Sequence, residues 1–554
     1  MPLLKKLGGL IVVLAILLSA SFVFLKPSVL ARESSKKPSV TEKIFKRGEV
    51  LYQKQCSVCH GALGAADGKA AYLLYPKPRD FIRDKFRLVS TKDMQAADED
   101  LFQTIGRGMP GSAMPPWEHL TAEDRWALVY YVRYLSQMEP FKRSGELTNE
   151  VLTSGIPWEL KKKMIDKKID PQTLVVISRE PPVTAERLEN GRKLFAASCA
   201  GCHGIEGKGD GRQEMITNLG YPVRPRDLTA GIFKGSPDSA DLYRRMIAGI
   251  PGSPMPSYTG IFTDDQIWDM IHFVQSLSNP GMEERVRLKR NRIKAQKIDA
   301  EIALNPLDPQ WAAVKPVYIA VTPLWWRDDH IQGIEVKALH NKDQIAFDLQ
   351  WSDPQKDDVV ANVHSFSDGA ALEFSKEKDP PFFGMGAAQQ PVYLWHWKAG
   401  WENVGENRQD IETEYPNAAV DWYESQKNYV HGESFDAGGS KAQFHDPRYL
   451  TGWGAGNPLS DPTSQRTAEE GMASGLGTLT TQLPKSENVD ARGVWDNGTW
   501  HVIFVRSLTS SDEGGLSFDA GGSASVAFAV WDGSHRDRNG QKMVSIWNEL
   551  ILER

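Results

Sequence analysis

The sequence predicts a multidomain protein, with two all-α units in tandem followed by an antiparallel β-sandwich domain. Three observations support this. The first half of the chain repeats itself, each copy placing helix-periodic segments on either side of a Cys-x-x-Cys-His pentapeptide. From about residue 306 the pattern changes to short β-branched and aromatic runs separated by Asp, Asn, Gly and Pro. A length of 554 residues, with 41% hydrophobic residues and a formal net charge of −6, suits about three to four ordinary globular domains.

Cys56-Ser57-Val58-Cys59-His60 and Cys199-Ala200-Gly201-Cys202-His203 use all four cysteines of the chain. Two thiols three positions apart can form thioethers to both vinyl groups of one haem, leaving the adjacent imidazole beneath the iron. A zinc site would want a second pair nearby, and a redox dithiol would not need His60 or His203 in register. The pentapeptides therefore predict two covalent haem c groups, attached at Cys56, Cys59, Cys199 and Cys202, with His60 and His203 as proximal iron ligands.

The chain aligns with itself elsewhere too. Arg47-Gly48 through Leu51-Tyr52 matches Asn190-Gly191 through Leu194-Phe195, and Pro78-Arg79-Asp80-Phe81 matches Pro225-Arg226-Asp227-Leu228. Gly108 to Pro115 lines up with Gly249 to Pro256, so Met109 faces Ile250 while Met114 faces Met255. Met114 and Met255 are the candidates for the distal thioether. A Met-Pro step in a Gly/Pro-rich loop without helical period favours ligation over gap-filling in an apolar core. Arg79 and Arg226 stand at matching places where haem propionates could be met. Each copy closes with a helix-periodic run, Thr121 to Ser136 and Thr263 to Ser278, in which Trp126 matches Trp268.

Over residues 40–140 and 185–280 these units resemble class I cytochrome c domains. The resemblance implies a compact all-α fold around each haem, His/Met ligation, and a potential raised relative to bis-His haem. Iron with both axial positions filled has no room for peroxide, oxygen or nitrite, which points to electron transfer and away from catalysis at these centres.

At the N-terminus Lys5-Lys6 precedes nineteen uncharged residues, Leu7 to Leu25, followed by Lys26-Pro27 and Val29-Leu30-Ala31. Residues 1–31 are expected to form a signal peptide cleaved after Ala31 or a retained membrane anchor spanning residues 7–25. Either outcome places the rest of the chain outside the cytoplasm, in a periplasmic or extracytoplasmic location. Nothing in the composition suggests nucleic acid. The one concentrated basic run, Arg285 to Lys297, reads as a solvated connector helix within 281–305; docking to an acidic partner or anionic lipid is the alternative. Residues 141–184 read as a mixed-charge connector.

In the third region, residues 306–554, Val317–Val321, Ile334–Leu339, Gln344–Trp351, Trp500–Arg506 and Ser525–Trp531 are expected as strands of the sandwich. The polar, Gly-rich stretch at about 402–486 reads as an insertion.

Pro381-Phe382-Phe383-Gly384-Met385-Gly386, Val392 to Ala399, Gly498 to Leu508, Phe528 to Gly533, and Gln541-Lys542-Met543 resemble, in that order, the haem b-binding γ subunits of ethylbenzene dehydrogenase and its relatives. Those relatives are dimethylsulfide dehydrogenase, selenate reductase, chlorate reductase and the nitrite oxidoreductase group. The resemblance implies one non-covalent haem b held by a methionine and a lysine, which on matching positions are Met385 and Lys542. Met385 sits in a Gly-flanked loop where backbone can approach a macrocycle closely. A lysine ligates iron only as the neutral amine, so Lys542 must be buried with its pKa depressed. His396, between Trp395 and Trp397, is the rival ligand, and Lys398 a poorer one.

No cysteines remain for iron–sulfur clusters and no molybdopterin motif is present. The resemblance thus implies a multihaem electron-transfer subunit, with two haem c and one haem b and no catalytic residue of its own. It would belong to an extracytoplasmic molybdopterin oxidoreductase complex, relaying electrons between the iron–sulfur clusters of partner subunits and a downstream electron carrier. The alternative is a stand-alone dihaem cytochrome c carrier whose β domain binds a partner.

Overall fold

The first copy begins with the helix Glu42–Gln55 (α1), capped by Thr41, whose hydroxyl accepts the Ile44 N–H. It runs into Cys56, and the pentapeptide itself makes one helical turn, Ser57–His60 (α2), closed by Gly61 at φ 81°. Asp98–Arg107 (α3) and Ala122–Arg143 (α4) complete the copy, α4 starting at a Thr121 cap. Asn149–Ser154 (α5) and Trp158–Ile165 (α6) belong to the connector. The second copy repeats the scheme with Ala185–Ser198 (α7), Ala200–His203 (α8), Ser239–Ala248 (α9) and Asp264–Leu277 (α10), capped by Thr184 and Thr263. Both closing helices thus form where the apolar spacing placed them.

The glycines shared by the two copies have a packing reason. A Cβ at Gly48 would lie 2.1 Å from the Ala127 carbonyl oxygen, and one at Gly191 would lie 2.0 Å from that of Asp269. Only glycine lets the first and last helices of each copy cross this closely.

The computed structural model describes residues 36–166, 169–279, 281–359, 362–377, 380, 381, 384–403, 415, 417, 466–481, 489–510 and 515–554. The leader or anchor expected over residues 1–31, Phe382, Phe383 and most of the expected insertion lie outside the described residues. Among the described residues no helix is long and apolar enough to cross a membrane.

The connector is a packed strap. Met164 and Ile165 are buried in the helical core, and the Val175 N–H donates to the Ser90 carbonyl at 2.9 Å. Further along, Ser178 accepts the Trp268 indole N–H at 2.8 Å and Glu180 lies 3.2 Å from His272. The strap therefore holds on to both copies.

The basic run departs from expectation. Its helix, Met282–Val286 (α11), ends early, and Arg292–Lys297 forms a strand (β1). Counting seven basic residues hid a period of two: Ile293 and Ala295 turn into the core while Arg292, Lys294 and Lys297 stay exposed. The remaining strands are Val317–Ala320 (β2), Thr322–Pro323 (β3), Gly333–His340 (β4), Gln344–Ser352 (β5), Gly369–Ser375 (β6), Val392–Lys398 (β7), Ala468–Ala473 (β8), Thr480–Thr481 (β9), Val489–Asp496 (β10), Thr499–Ser507 (β11), Ser523–Trp531 (β12), Met543–Val544 (β13) and Asn548–Leu552 (β14). They join in the order β10-β11-β5-β4-β1-β14-β12-β6-β7-β8-β9. The sheet is antiparallel except at β1, which runs parallel to both β4 and β14. It is therefore a mixed sheet. Strand β8 lies inside the region expected as insertion.

The sheet folds over on itself into two layers. Phe347 of β5 faces Phe374 of β6 at 5.7 Å, and Trp397 of β7 faces Trp500 of β11 at 5.1 Å between ring centroids. Thr467 donates to the Ala491 carbonyl, drawing β8 towards β10, and Gly493 leaves room for the Trp397 indole, which a Cβ would meet at 2.1 Å. The apolar cluster between the layers draws on most of the strands.

The helix crossings yield a stability prediction. Gly191→Ala adds a methyl where no space exists, at about 1–3 kcal/mol, which outweighs the helix-propensity gain of up to about 1 kcal/mol. A lower denaturant midpoint by far-UV circular dichroism is expected, and an unchanged or higher midpoint would refute the close-crossing explanation.

Candidate haem-binding sites

In the first copy, the α2 turn sets Cys56, Cys59 and His60 against a cavity of about 1030 Å³ whose lining includes Met109, Ser112, Met114 and Pro115. His60 donates through Nδ1 to the Arg79 carbonyl at 3.0 Å and stacks on Phe81 at 4.6 Å. That bond leaves Nε2 as the nitrogen available to a metal. Burial pushes both His60 and His203 down to about 4, keeping each imidazole neutral as ligation requires. Burial also pushes the thiols of Cys56 and Cys59 up to about 12 and that of Cys199 up to about 11.

The methionine loops are built the same way twice. The Met109 N–H donates to the Met114 carbonyl at 3.1 Å, and the Ile250 N–H to the Met255 carbonyl at 3.2 Å. Ser112 and Ser253 donate to the carbonyls of Met109 and Ile250 at 2.6 and 2.8 Å. Cys199, Cys202, His203, Met255 and Tyr258 line the second crevice. His203 Nδ1 is buried there without a partner, unlike its counterpart in the first copy.

Between the crevices the structure gathers a charge cluster that the sequence only hinted at. Arg79, Arg87, Arg226 and Lys234 line the first cavity, and the last two line the second as well. The copies exchange arginines. Arg87 donates to the Pro251 carbonyl at 2.8 Å in the Met255 loop, and Arg226 lies under Gly111 in the Met114 loop, where a Cβ would fall 2.5 Å from its Cζ. Asp84 pairs with Arg79 and, at 3.8 Å, with Arg87. Among the described residues neither Arg226 nor Lys234 makes an ion pair, and the Arg226 Nε is buried without a partner. Burial, then the neighbouring arginines, pushes Lys234 down to about 7. Surplus positive charge facing two thiol-and-imidazole crevices fits two haems, whose propionates would supply the missing anions.

A third patch lies on the outer face of β6, β7, β8 and β12. Pairing places Glu373, Leu394 and Ala527 side by side, then Ala371, His396 and Ala529, then Gly369, Lys398 and Trp531. The centre of this face is small, with Gly369, Ala371, Ala527 and Ala529, so it presents a flat apolar floor. Met385, held at φ 83°, packs at one side against Val392, Ala473, Ala527 and Trp547. Its N–H donates to Glu373 Oε1 at 3.2 Å. Lys542 places its Nζ 4.7 Å from the centroid of the Trp531 ring. Burial lowers the pKa of Lys542, which Glu373 opposes, and burial raises that of Glu373, which Lys542 opposes. Met385 and Lys542 thus share one carboxylate.

His396 lies on the same face. It donates through Nδ1 to Glu469 at 2.8 Å, with its ring 5.2 Å from Trp401 and 5.1 Å from Trp531. Lys398 is occupied over the Trp401 ring at 5.2 Å. Glu373, Glu469 and Trp531 were not singled out from sequence. The signal for Glu373 was the alternation of Gly369, Ala371 and Glu373 with the inward Ala370, Leu372 and Phe374, legible only once β6 is known to be a strand.

A short bridge joins this face to the first crevice. The Leu324 N–H donates to the Lys542 carbonyl at 3.1 Å, the Tyr75 N–H to the Leu324 carbonyl at 3.0 Å, and the Trp326 N–H to the Tyr75 carbonyl at 2.8 Å. Tyr75, which lines the first cavity, stacks on Trp325 at 5.3 Å. Its hydroxyl donates to the Pro222 carbonyl of the second copy at 2.6 Å. Arg226 covers Trp326 at 4.6 Å.

Residues 44–132 match the family model for cytochrome c oxidase, cbb3-type, subunit III, residues 188–278 that for cytochrome c, and residues 308–543 that for ethylbenzene dehydrogenase. A protein named as a respiratory nitrate reductase heme subunit from Haloferax mediterranei is 26% identical over 222 residues, covering 40% of this chain and 56% of that protein. Dimethylsulfide dehydrogenase subunit gamma from Rhodovulum sulfidophilum is 26% identical over 254 residues, covering 44% of this chain and 72% of that subunit. Chlorate reductase subunit gamma from Ideonella dechloratans is 23% identical over 223 residues, covering 40% and 64%. The chain thus spans just over half the length of the first of these relatives. Helical repeats, crevices and sheet domain together agree with these matches: the chain consists of two cytochrome c domains followed by a domain that resembles the gamma subunits of the ethylbenzene dehydrogenase group.

Proposed function

We propose that this chain is a multihaem electron-transfer subunit, with two haem c and one haem b, of an extracytoplasmic molybdopterin oxidoreductase complex. The observation that supports this best is the bridge from the Lys542 loop through Leu324 to Tyr75, which joins the outer face of the sheet to the first crevice and, through the Tyr75 hydroxyl on Pro222, to the second copy. Three sites so joined suit a relay between a partner's iron–sulfur clusters and a downstream carrier. The names of the relatives, each a subunit of a reductase or dehydrogenase, favour a subunit over an independent enzyme.

When bound, haem supplies one-electron exchange between ferric and ferrous iron. In this reading Cys56, Cys59, Cys199 and Cys202 carry the two covalent groups. His60 with Met114, and His203 with Met255, would hold the iron of the two groups. Arg79, Arg87, Arg226 and Lys234 would meet the propionates. On the sheet, the small residues of β6 and β12 would make room for the third group, and Met385 and Lys542 would hold its iron. Lys542 must arrive as the neutral amine. Glu373, whose pKa burial raises, is placed to hold the proton that Lys542 gives up. His396 stays in its hydrogen bond to Glu469.

Two measurements test this. A pyridine haemochrome spectrum of the protein purified with its partners, before and after acid-acetone extraction, should show two c haems and one extractable b haem. Met385→Ala and Lys542→Ala should each lose the b haem and keep both c haems. Two c haems with no b haem would remove the third centre and leave the dihaem carrier. Because a lysine ligand is lost when protonated, acidification should alter the b-haem spectrum before the c-haem spectra.

Second, Arg226→Gln and Lys234→Met each remove a cation that favours the extra electron of reduced haem. The midpoint potential of at least one c haem should fall, by on the order of 1–2 kcal/mol of electrostatic energy. Spectroelectrochemical titration showing unchanged potentials would refute the role of these cations.

A further inference from the structure

Where β5 and β12 end and β6 begins, three carboxylates converge inside the protein. Asp353 follows β5, Asp368 precedes β6 and Asp532 follows β12. They are 2%, 0% and 6% exposed, and one oxygen of each lies within 4.8 Å of the others. Asp357, on the loop after Asp353, brings a further buried oxygen, Oδ2, without a partner.

Hydrogen bonds use only part of this oxygen set. Asp368 accepts the Asp357 N–H at 2.8 Å and the Trp500 indole N–H at 3.0 Å on Oδ2, and the Gly533 N–H at 2.8 Å on Oδ1. Asp532 accepts the Ser534 hydroxyl at 2.6 Å and the His535 N–H at 3.2 Å on Oδ1, and the His535 ring N–H at 2.7 Å on Oδ2. Asp353 accepts the Gln355 N–H at 3.2 Å on Oδ1. Its buried Oδ2 lies outside normal hydrogen-bond geometry, and the Trp351 indole N–H is the donor turned towards this carboxylate.

Nearby charge compensates only one member of the cluster. His535 reaches Asp532, and Arg327, bidentate to Asp537 at 2.6 and 2.9 Å, lies 3.6 Å from Asp532. Among the described residues no cation forms an ion pair with Asp353 or Asp368. Carboxylates buried this way are strongly disfavoured unless a cation joins them. Burial and mutual repulsion accordingly push Asp368 up to about 8 and Asp353 up to about 6.

We propose that Asp353, Asp368 and Asp532 bind a calcium ion that ties the two layers of the sandwich together. The donors are all hard oxygens, which excludes a preference for softer metals. Calcium takes about six to eight oxygens at about 2.4 Å in irregular geometry, whereas magnesium wants about 2.1 Å in strict octahedral geometry, and the donors here come from three separate strand ends. The surroundings are built to converge: a Cβ at Gly533 would fall 2.1 Å from the Phe366 carbonyl oxygen and 2.5 Å from the Asp357 Cβ, so the turn after β12 is pressed onto the 357–368 loop. Asp353 extends the layer of β5 and β11, while Asp368 and Asp532 extend the facing layer of β6 and β12. This inference is independent of the haem assignments.

The test uses the full chain with its haems. After dialysis against EDTA, metal content is measured by mass spectrometry following re-equilibration with CaCl2 and desalting, and thermal unfolding is followed against calcium concentration. A single calcium per chain and a Tm that rises with the logarithm of calcium concentration are expected, with magnesium weaker. Asp353→Asn and Asp532→Asn should each abolish the rise, whereas Asp490→Asn on β10 should keep it. In EDTA, Asp353→Asn should melt no lower than the parent, since one repelling charge is gone. A parent chain that retains no calcium and whose Tm ignores it would overturn the proposal, as would a full calcium response in Asp353→Asn. If neither variant accumulates, the parent's calcium content and Tm response decide.

Discussion

Arg79, Arg87, Arg226 and Lys234, the third buried and the others part-buried, cannot crowd together unless anions share the space. Asp84 answers two of them, and the rest of the balance is left to whatever fills the crevices. This electrostatic constraint explains why the two helical copies face each other. Each sends an arginine into the other's methionine loop, and each needs a glycine, Gly111 or Gly252, to receive it. Two units packed through unrelated surfaces would have no cause to pool their positive charge. In the proposed reading the pooled charge would hold propionates of both haems.

The sheet domain meets a different demand. Its inner face is filled with Phe374, Trp395, Trp397, Trp500 and Phe504, so two layers of strands close on an aromatic core. The same strands keep their outer positions small along β6 and β12. Bulk on one side and bareness on the other follow from the period of two in a strand. The bare side is where Met385, Glu373, His396 and Lys542 assemble, and the polar atoms there satisfy one another in pairs. Lys542 and Glu373, both driven by burial towards their neutral forms, are the exception that invites a ligand.

The contact between the halves is small but specific. Leu324 to Trp326 lie between the Lys542 loop and Tyr75, bonded to both through the backbone. Backbone hydrogen bonds do not depend on which side chains are present. The join therefore left little trace in the residues themselves, apart from the aromatic run Trp325-Trp326 that packs on Tyr75 and Arg226.

What the sequence determined alone is the local chemistry. The two Cys-x-x-Cys-His turns, the Thr-capped helices with apolar spacing of three to four and the Met-Pro loops each rest on residues within a few positions of one another, where spacing dictates geometry. The strands with strong alternation were legible for the same reason. Tertiary structure decided the rest. Arg292–Lys297 is a strand because Ile293 and Ala295 find a core between β4 and β14, whereas its charge pattern read as a solvated helix. Ala468–Ala473 joins the sheet because β7 offers a free edge to it. The cation cluster, the shared carboxylate of Met385 and Lys542, and the meeting of Asp353, Asp368 and Asp532 unite side chains up to about 180 positions apart. Electrostatics and burial act through space, and no pattern along the chain records which distant residues will share it.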